Sequence, residues 1–257
     1  MRRVAMRLHS PEQLGKKKKK EQQQAAEAEA EAEADAAATK SNGTQTKAAE
    51  EEKQEQQQQR RFAPTLQGYT RFLRESKLVY DFLEQTVRDK ERYAAFRESG
   101  LERGGRLALD IASLEKRLRA QTDEGGGEEM KKDEEEGLHA GAEYVKYLES
   151  LERESEAKFL CHYYNVYFAH TAGGRMIGNA VSKALLEGDT LQFYCYGDAE
   201  GEEASSKETI QPMLDVVREE INAIAEGWSE KEKEECLQET ELSFKYSGQL
   251  LRLISTS

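Results

Sequence analysis

The stretch "YFAHTAGGRMIGNAV", residues 167–181, decides how this chain is read. It has helical character on both sides, yet Gly173 and Gly174 stand together in its middle and Gly178 follows one turn later. Each glycine inside a helix costs roughly 1 kcal/mol relative to alanine. The spacing of Met176, Ile177, Ala180, Val181, Ala184 and Leu185 carries the helical pattern past the pair. That favours a kinked helix at least as much as two separate helices. A Gly-Gly kink flanked by Ala169 and Ala172 strips one face of side chains for more than a turn. A flat object can then approach the backbone closely, and two candidates stand open: a neighbouring helix backbone or a ligand ring.

Outward from this stretch, the rest of the chain reads as helix. Behind Pro64, apolar residues at Leu66, Tyr69, Phe72, Leu73, Leu78 or Val79, Phe82 and Val87 follow a 3-4 rhythm. Pro64 itself suits the first turn of that helix. Further helices are expected over 91–98, 101–119, 140–152, 155–187, 207–226 and 229–254. The last of these opens with a capping box, Ser229 with Glu232 three residues on. Only "LQFYCY" (191–196) reads as extended, so the class is all-α.

Composition locates the disorder and the charge. Residues 10–61 hold "KKKKK", "EAEAEAEA" and "QEQQQQRR", biased tracts with no apolar face to bury. They form a low-complexity insertion, expected to be disordered, between a helix remnant at 1–9 and a helical body at 62–257. About 180–190 residues remain to build a single core. The net charge of −12 is concentrated in acidic loops. Residues 120–137 carry eight acids against two lysines, and 198–208 carry five acids against one, which leaves −2 for everything else. A nucleic-acid surface is disfavoured, since no basic face stands outside the lysine run. No segment reaches the ~18–20 apolar residues of a membrane span. Cys161, Cys195 and Cys236 are odd in number, without a C-x-x-C spacing, and read as buried thiols in a reducing compartment.

Hydrolase, P-loop, dinucleotide and HExxH patterns are absent. "EGLH" (136–139) matches one half of a di-iron E-x-x-H pair, but it sits in the acidic loop and has no second copy. The opening "MRRVAMRLH" is Arg-bearing and acid-poor, as a transit peptide is, yet it lacks serine. Wound as a helix it places Arg2 almost directly above His9, separated by Ala5 and Met6. Such a pair suits a planar anionic cofactor, the imidazole taking a metal and the arginine a carboxylate about 10 Å away. It equally suits an exposed histidine near a helix C-terminus. His170 beside the glycine pair and His162 two turns earlier share their helix with Tyr163, Tyr164, Tyr167 and Phe168, aromatics that core packing also explains.

Taken together, "VAMRLH", "GYTRFLRESKLVYDFLE", "FLCHYYNVYFAHTAGGRMIG" and "CLQETELSFKYSGQLLRLI" resemble the heme oxygenases, most closely the plant and algal plastid type. The resemblance spans most of the chain outside 10–61, 120–137 and 198–206. It implies a single-domain, heme oxygenase-like helical bundle with a kinked distal helix. By the resemblance His9 is the proximal ligand of heme iron, and Gly173 and Gly174 are the distal glycines that make room for dioxygen. His170 stands where animal members have aspartate. Tyr80, Tyr164 and Phe244 line the pocket, while Arg218 and Arg2 meet heme propionates. A further propionate lysine is replaced by Leu214. The implied activity cleaves heme to biliverdin IXα, carbon monoxide and ferrous iron, using O₂ and electrons from reduced ferredoxin. It would feed phytobilin synthesis from a monomer in the plastid stroma, with any transit segment lying upstream of this chain. The other reading is a heme-binding or scaffold protein of the same fold that has lost turnover. Its non-heme-binding plant relatives typically carry arginine at the proximal position, so His9 speaks against that paralogue.

Overall fold

The computed structural model describes residues 63–125, 139–197 and 206–255. The 1–9 segment and the 10–61 insertion expected from the sequence lie wholly outside them, as do most of both acidic loops. Seven α-helices run through the described residues: α1 (Leu66–Asp89), α2 (Gly104–Gly125), α3 (Ala140–Glu154), α4 (Glu156–Ala169), α5 (Arg175–Leu185), α6 (Lys207–Glu226) and α7 (Glu230–Arg252). Short 3₁₀ turns stand at Glu91–Phe96, Gln192–Tyr194 and Leu253–Ser255. No strand occurs among the described residues. The stretch read as extended, 191–196, is a 3₁₀ turn at Gln192–Tyr194 with extended residues, Leu191 and Cys195, on either side.

Several helix ends differ from the sequence reading, each for a local reason. Pro64 precedes the helix instead of opening it; Thr65 is the N-cap, its hydroxyl accepting from the Gly68 N–H at 2.9 Å. The Thr65 N–H donates to the Ile254 carbonyl, tying the start of α1 to the end of the chain. α2 begins at Gly104, not at Leu101, because Glu84 on α1 caps it from outside: its Oε1 accepts from the N–H groups of Arg103 and Gly104 at 2.6 and 3.0 Å. Glu75, nine residues earlier on α1, accepts the Gly141 N–H at 2.7 Å and so caps α3. One helix thus supplies an acid to two helix N-termini, where orphan N–H groups and the dipole favour negative charge. The capping box at Ser229 and Glu232 forms as read.

α4 is the central helix. Eleven of its fourteen residues are buried, from Ala157 through Phe168. α7 packs along its length, α3 lies beside its first half, and α1 brings Tyr80 to 5.3 Å from the Tyr167 ring centroid. At its end the chain does not stop. Residues His170–Gly174 make one π-helical turn, and α5 continues directly from it with Gly174 still in the right-handed helical region. The kink is thus a widened turn that contains both glycines. All three cysteines are free and buried.

Candidate functional site

The π-turn presents its residues unequally. His170 and Thr171 are buried, Ala172 and Gly173 are exposed, and Met176 one turn on is 74 % exposed. A side chain added at Gly173 would meet nothing within 4 Å, whereas one added at Gly174 would come within 3.0 Å of His170 Cδ2. One added at Gly178 would strike the Tyr194 ring at 2.4 Å. The three glycines therefore do different work. Gly178 admits a tyrosine ring of this same chain, Gly174 admits the His170 imidazole, and Gly173 faces open space. Neither alternative left open in the sequence accounts for Gly174 and Gly178: the objects that approach them are side-chain rings of this same chain, His170 and Tyr194, and Gly173 stays open.

His170 is held on every side but one. Its ring stacks on Tyr194 (centroids 5.2 Å apart, 14° between planes), touches Phe193 at 4.1 Å and meets the Tyr80 ring edge-on at 6.1 Å. Nδ1 lies 2.6 Å from the Tyr196 hydroxyl. Nε2 is buried without a hydrogen-bond partner. Burial, reinforced by the cations Arg103 and Arg175, holds the imidazole well below its usual pKa, so His170 is neutral near pH 7.

The aromatics around His170 are positioned by charges on α2 and its N-terminal edge. Both oxygens of the buried Asp110 carboxylate accept from the N–H groups of Gln192 and Phe193, at 2.9 and 2.7 Å. Arg103, 1 % exposed, donates to the carbonyls of Leu101, Gly100 and Cys195 and lies 4.0 Å over the Tyr196 ring. Tyr194 is further fixed by a 2.8 Å hydrogen bond between its hydroxyl and that of Tyr69. Sequence reading passed over Arg103, Asp110, Phe193, Tyr194 and Tyr196. The signal present was a cation and an acid seven residues apart on the same face as Leu107 and Leu114, polar groups at core positions of a helix.

The expected site residues divide into two groups. Tyr80, His170, Gly173 and Gly174 share one neighbourhood. Tyr164 and Arg218 share another: the Tyr164 ring stacks on Phe168 at 3.9 Å, and the Arg218 guanidinium lies 5.1 Å from the same Phe168 ring. Arg218 also pairs with Asp215, and its charge opposes the rise that burial imposes on the Tyr164 phenol. Phe168 and the π-turn are consecutive on one helix, so the two groups adjoin along α4. Phe244 sits on α7, 51 % exposed. His9 and Arg2 lie outside the described residues. Among those described, no group of three His, Cys, Asp or Glu side chains is placed to hold a metal ion, and no helix is long and apolar enough to cross a membrane. The cleft of about 530 Å³ bordered by Glu84, Arg97, Glu102 and Tyr167 contains none of the expected residues.

A helical bundle whose buried central helix runs into a glycine-bearing π-turn, with an imidazole packed against that turn, defines an all-α protein with one bare, ring-sized approach to its backbone. A family model described as heme oxygenase matches residues 36–252. The chain belongs to the heme oxygenase family. It is 41 % identical over 196 residues to Heme oxygenase 1, chloroplastic, of Arabidopsis thaliana, covering 76 % of this chain and 61 % of that one. It is 38 % identical over 194 residues to the Arabidopsis protein named Probable inactive heme oxygenase 2, chloroplastic, covering 74 % and 57 %. The chain thus spans about three fifths of the length of these relatives. Among solved structures, heme oxygenase-2 from Synechocystis, crystallised with heme and NO, superposes with a TM-score of 0.56 at 16 % identity, covering 76 % of this chain and 74 % of that one. The last likeness bears on the fold.

Proposed function

We propose that the protein is a plastid heme oxygenase that cleaves heme to biliverdin IXα, carbon monoxide and ferrous iron with O₂ and electrons from reduced ferredoxin. The product would supply phytobilin and phytochrome chromophore synthesis. The observation that carries the reading is the pairing of Gly173, bare toward open space, with His170, whose Nε2 is buried and unpartnered one turn away. That Nε2 is one of six buried side-chain polar atoms without a partner among the described residues, and the one whose ring lies against the glycine pair; a ligand-side hydrogen bond would satisfy it.

Bound heme would supply the iron that binds and reduces dioxygen and the porphyrin edge that is cut. The roles of the chain's own residues follow from their chemistry. His9 would hold the iron from the proximal side through a neutral ring nitrogen. Gly173, having no side chain, would leave room for a bound heme and dioxygen at the widened turn after α4. Gly174 keeps the helix close to His170, and a larger residue there would press on the ring. His170 stays neutral and is locked by Tyr194 and Phe193, so its Nε2 offers a fixed polar contact for a distal water or substrate group. Arg218 and Arg2 would take the two propionate carboxylates, Arg218 from its present pairing with Asp215. The aromatic wall of Tyr80 and Phe193 keeps bulk water from the imidazole's inner side.

The test is spectroscopic. The full chain with hemin is expected to develop a Soret band that collapses when reduced ferredoxin is supplied, while a bilin band grows toward the red. A Soret band that persists would support the second reading, a heme binder without turnover, a reading motivated by relatives whose name says probable inactive. No Soret band at all would remove both.

A further inference from the structure

His170 and Tyr196 form a hydrogen-bonded pair whose direction decides what Nε2 can do. A neutral imidazole carries one proton on one of two nitrogens, and the nitrogen that accepts a hydrogen bond is the one without it. Three observations favour one direction. The Tyr196 hydroxyl lies 2.6 Å from Nδ1. The Arg103 guanidinium lies 4.0 Å over the Tyr196 ring, a cation that draws electron density from the phenol and strengthens its O–H as a donor. Arg103 itself is 1 % exposed and anchored to backbone carbonyls, so this charge cannot swing away. Burial also pushes the Tyr196 phenol up to about 12, so the hydroxyl keeps its proton near pH 7.

We infer that Tyr196, polarised by Arg103, donates to Nδ1 of His170 and thereby fixes the tautomer in which Nε2 carries the proton, making Tyr196 a positioning residue that turns Nε2 into a hydrogen-bond donor. The unpartnered atom is then an N–H aimed to give, not a lone pair waiting to accept. Its complement is an electron-rich oxygen: a water, a hydroxide or a ligand oxygen bearing negative charge. Tyr194 and Phe193 prevent the ring from turning over to exchange its two nitrogens, since both pack on its faces. The charged and titratable groups facing the pair are Arg103 before α2, Arg106 on α2, Arg175 on α5, Tyr80 on α1 and Tyr194 beside it. The consequence for turnover rests on the function proposed above; the tautomer does not.

The experiment is ¹⁵N NMR of the full chain labelled at histidine, read through long-range proton–nitrogen correlations without heme. The expected spectrum for His170 has a pyrrole-type Nε2 and a pyridine-type Nδ1. The reverse pattern would overturn the inference on the wild-type protein alone, whatever the variants do. In Tyr196→Phe, which removes only the hydroxyl, the two nitrogens are expected to move toward averaged shifts; an unchanged pattern would also overturn it. Arg103→Lys keeps the charge and tests whether the planar cation over the ring is needed; a partial shift toward averaging is expected. Where ferredoxin-driven turnover is measurable, Tyr196→Phe should lower kcat about tenfold or more, as wrong-tautomer variants do, with hemin affinity within about twofold of wild type. A wild-type chain without turnover but with the Nε2–H tautomer would defeat the proposed function and leave this inference standing.

Discussion

α4 and the π-turn that continues it carry two buried histidines eight residues apart, and they are built differently. His162, fully buried, is satisfied at both nitrogens: Nδ1 lies 2.7 Å from the Tyr144 hydroxyl and Nε2 lies 3.1 Å from Glu239 Oε1. Tyr147 donates to the same carboxylate oxygen at 2.6 Å, and Lys158 stands 3.8 Å from the other. The group joins α3, α4 and α7 with every strong partner supplied from within. His170 has one partner and one orphan, with glycines where its neighbours' side chains would be. The same residue type on the same helix is a tether in one half and a prepared contact in the other. What separates them is the number of satisfied nitrogens and the π-turn that widens the helix beside one of them.

The sharpest way to break this contrast is to cut the tether. Glu239→Ala leaves the His162 Nε2 and the Tyr147 hydroxyl without their shared acceptor, and each buried polar group left unsatisfied costs about 1–3 kcal/mol, about 2–5 kcal/mol for the two. Urea unfolding followed by circular dichroism should show a loss of that size. A loss below about 1 kcal/mol would mean that the network is not holding the three helices together.

Next in size are the glycines, whose effects should have opposite signs. Gly178→Ala drives a methyl group into a Tyr194 ring that Tyr69 and His170 hold in place, and overpacking of this kind costs about 1–3 kcal/mol. Gly173→Ala meets nothing and should stabilise the fold by about 0.5–1 kcal/mol through helix propensity alone. Parallel melting curves for the two variants would decide it. Equal destabilisation by both would show that Gly173 is as tightly packed as Gly178.

Acid gives a gentler probe of His170. Its folded-state pKa lies below the unfolded value of about 6.5, so below that pH the unfolded chain binds the extra proton and the fold loses stability. Each pH unit below about 6.5 should cost up to about 1.4 kcal/mol until the folded-state pKa is reached. The buried Asp110 and Glu84 carboxyls, raised by burial, act in the opposite sense in their own lower range. His170→Gln should flatten the slope just below pH 6.5. An unchanged slope would assign the acid sensitivity elsewhere.

Much of the fold was legible because its signals are local. The 3-4 rhythm from Leu66 to Val87, the Ser229–Glu232 box and the glycines at 173 and 174 each sit within one or two helical turns, and each found its element in the structure. The site was legible only in its glycines and His170. The clamp that orients His170 joins Asp110 to Gln192 and Arg103 to Cys195, across 82 and 92 residues, and no periodicity reports a contact at that distance. Composition hid it further: Tyr194 and Tyr196 sit in a stretch whose β-rich residue types read as extended, although Asp110 draws the backbone into a 3₁₀ turn. Nor does the chain mark which of Gly173, Gly174 and Gly178 faces space and which faces a ring. That difference depends on where the 192–196 segment returns.

The most direct test of the account uses a diamagnetic porphyrin and no turnover. Zinc protoporphyrin added to the full chain, labelled with ¹⁵N at histidine, is expected to shift the ring resonances of His170 strongly while those of His162 stay in place. Equal shifts at both histidines, or a moving His162 beside an unmoved His170, would contradict the claim that the glycine-bared π-turn after α4 is where the ligand meets the protein.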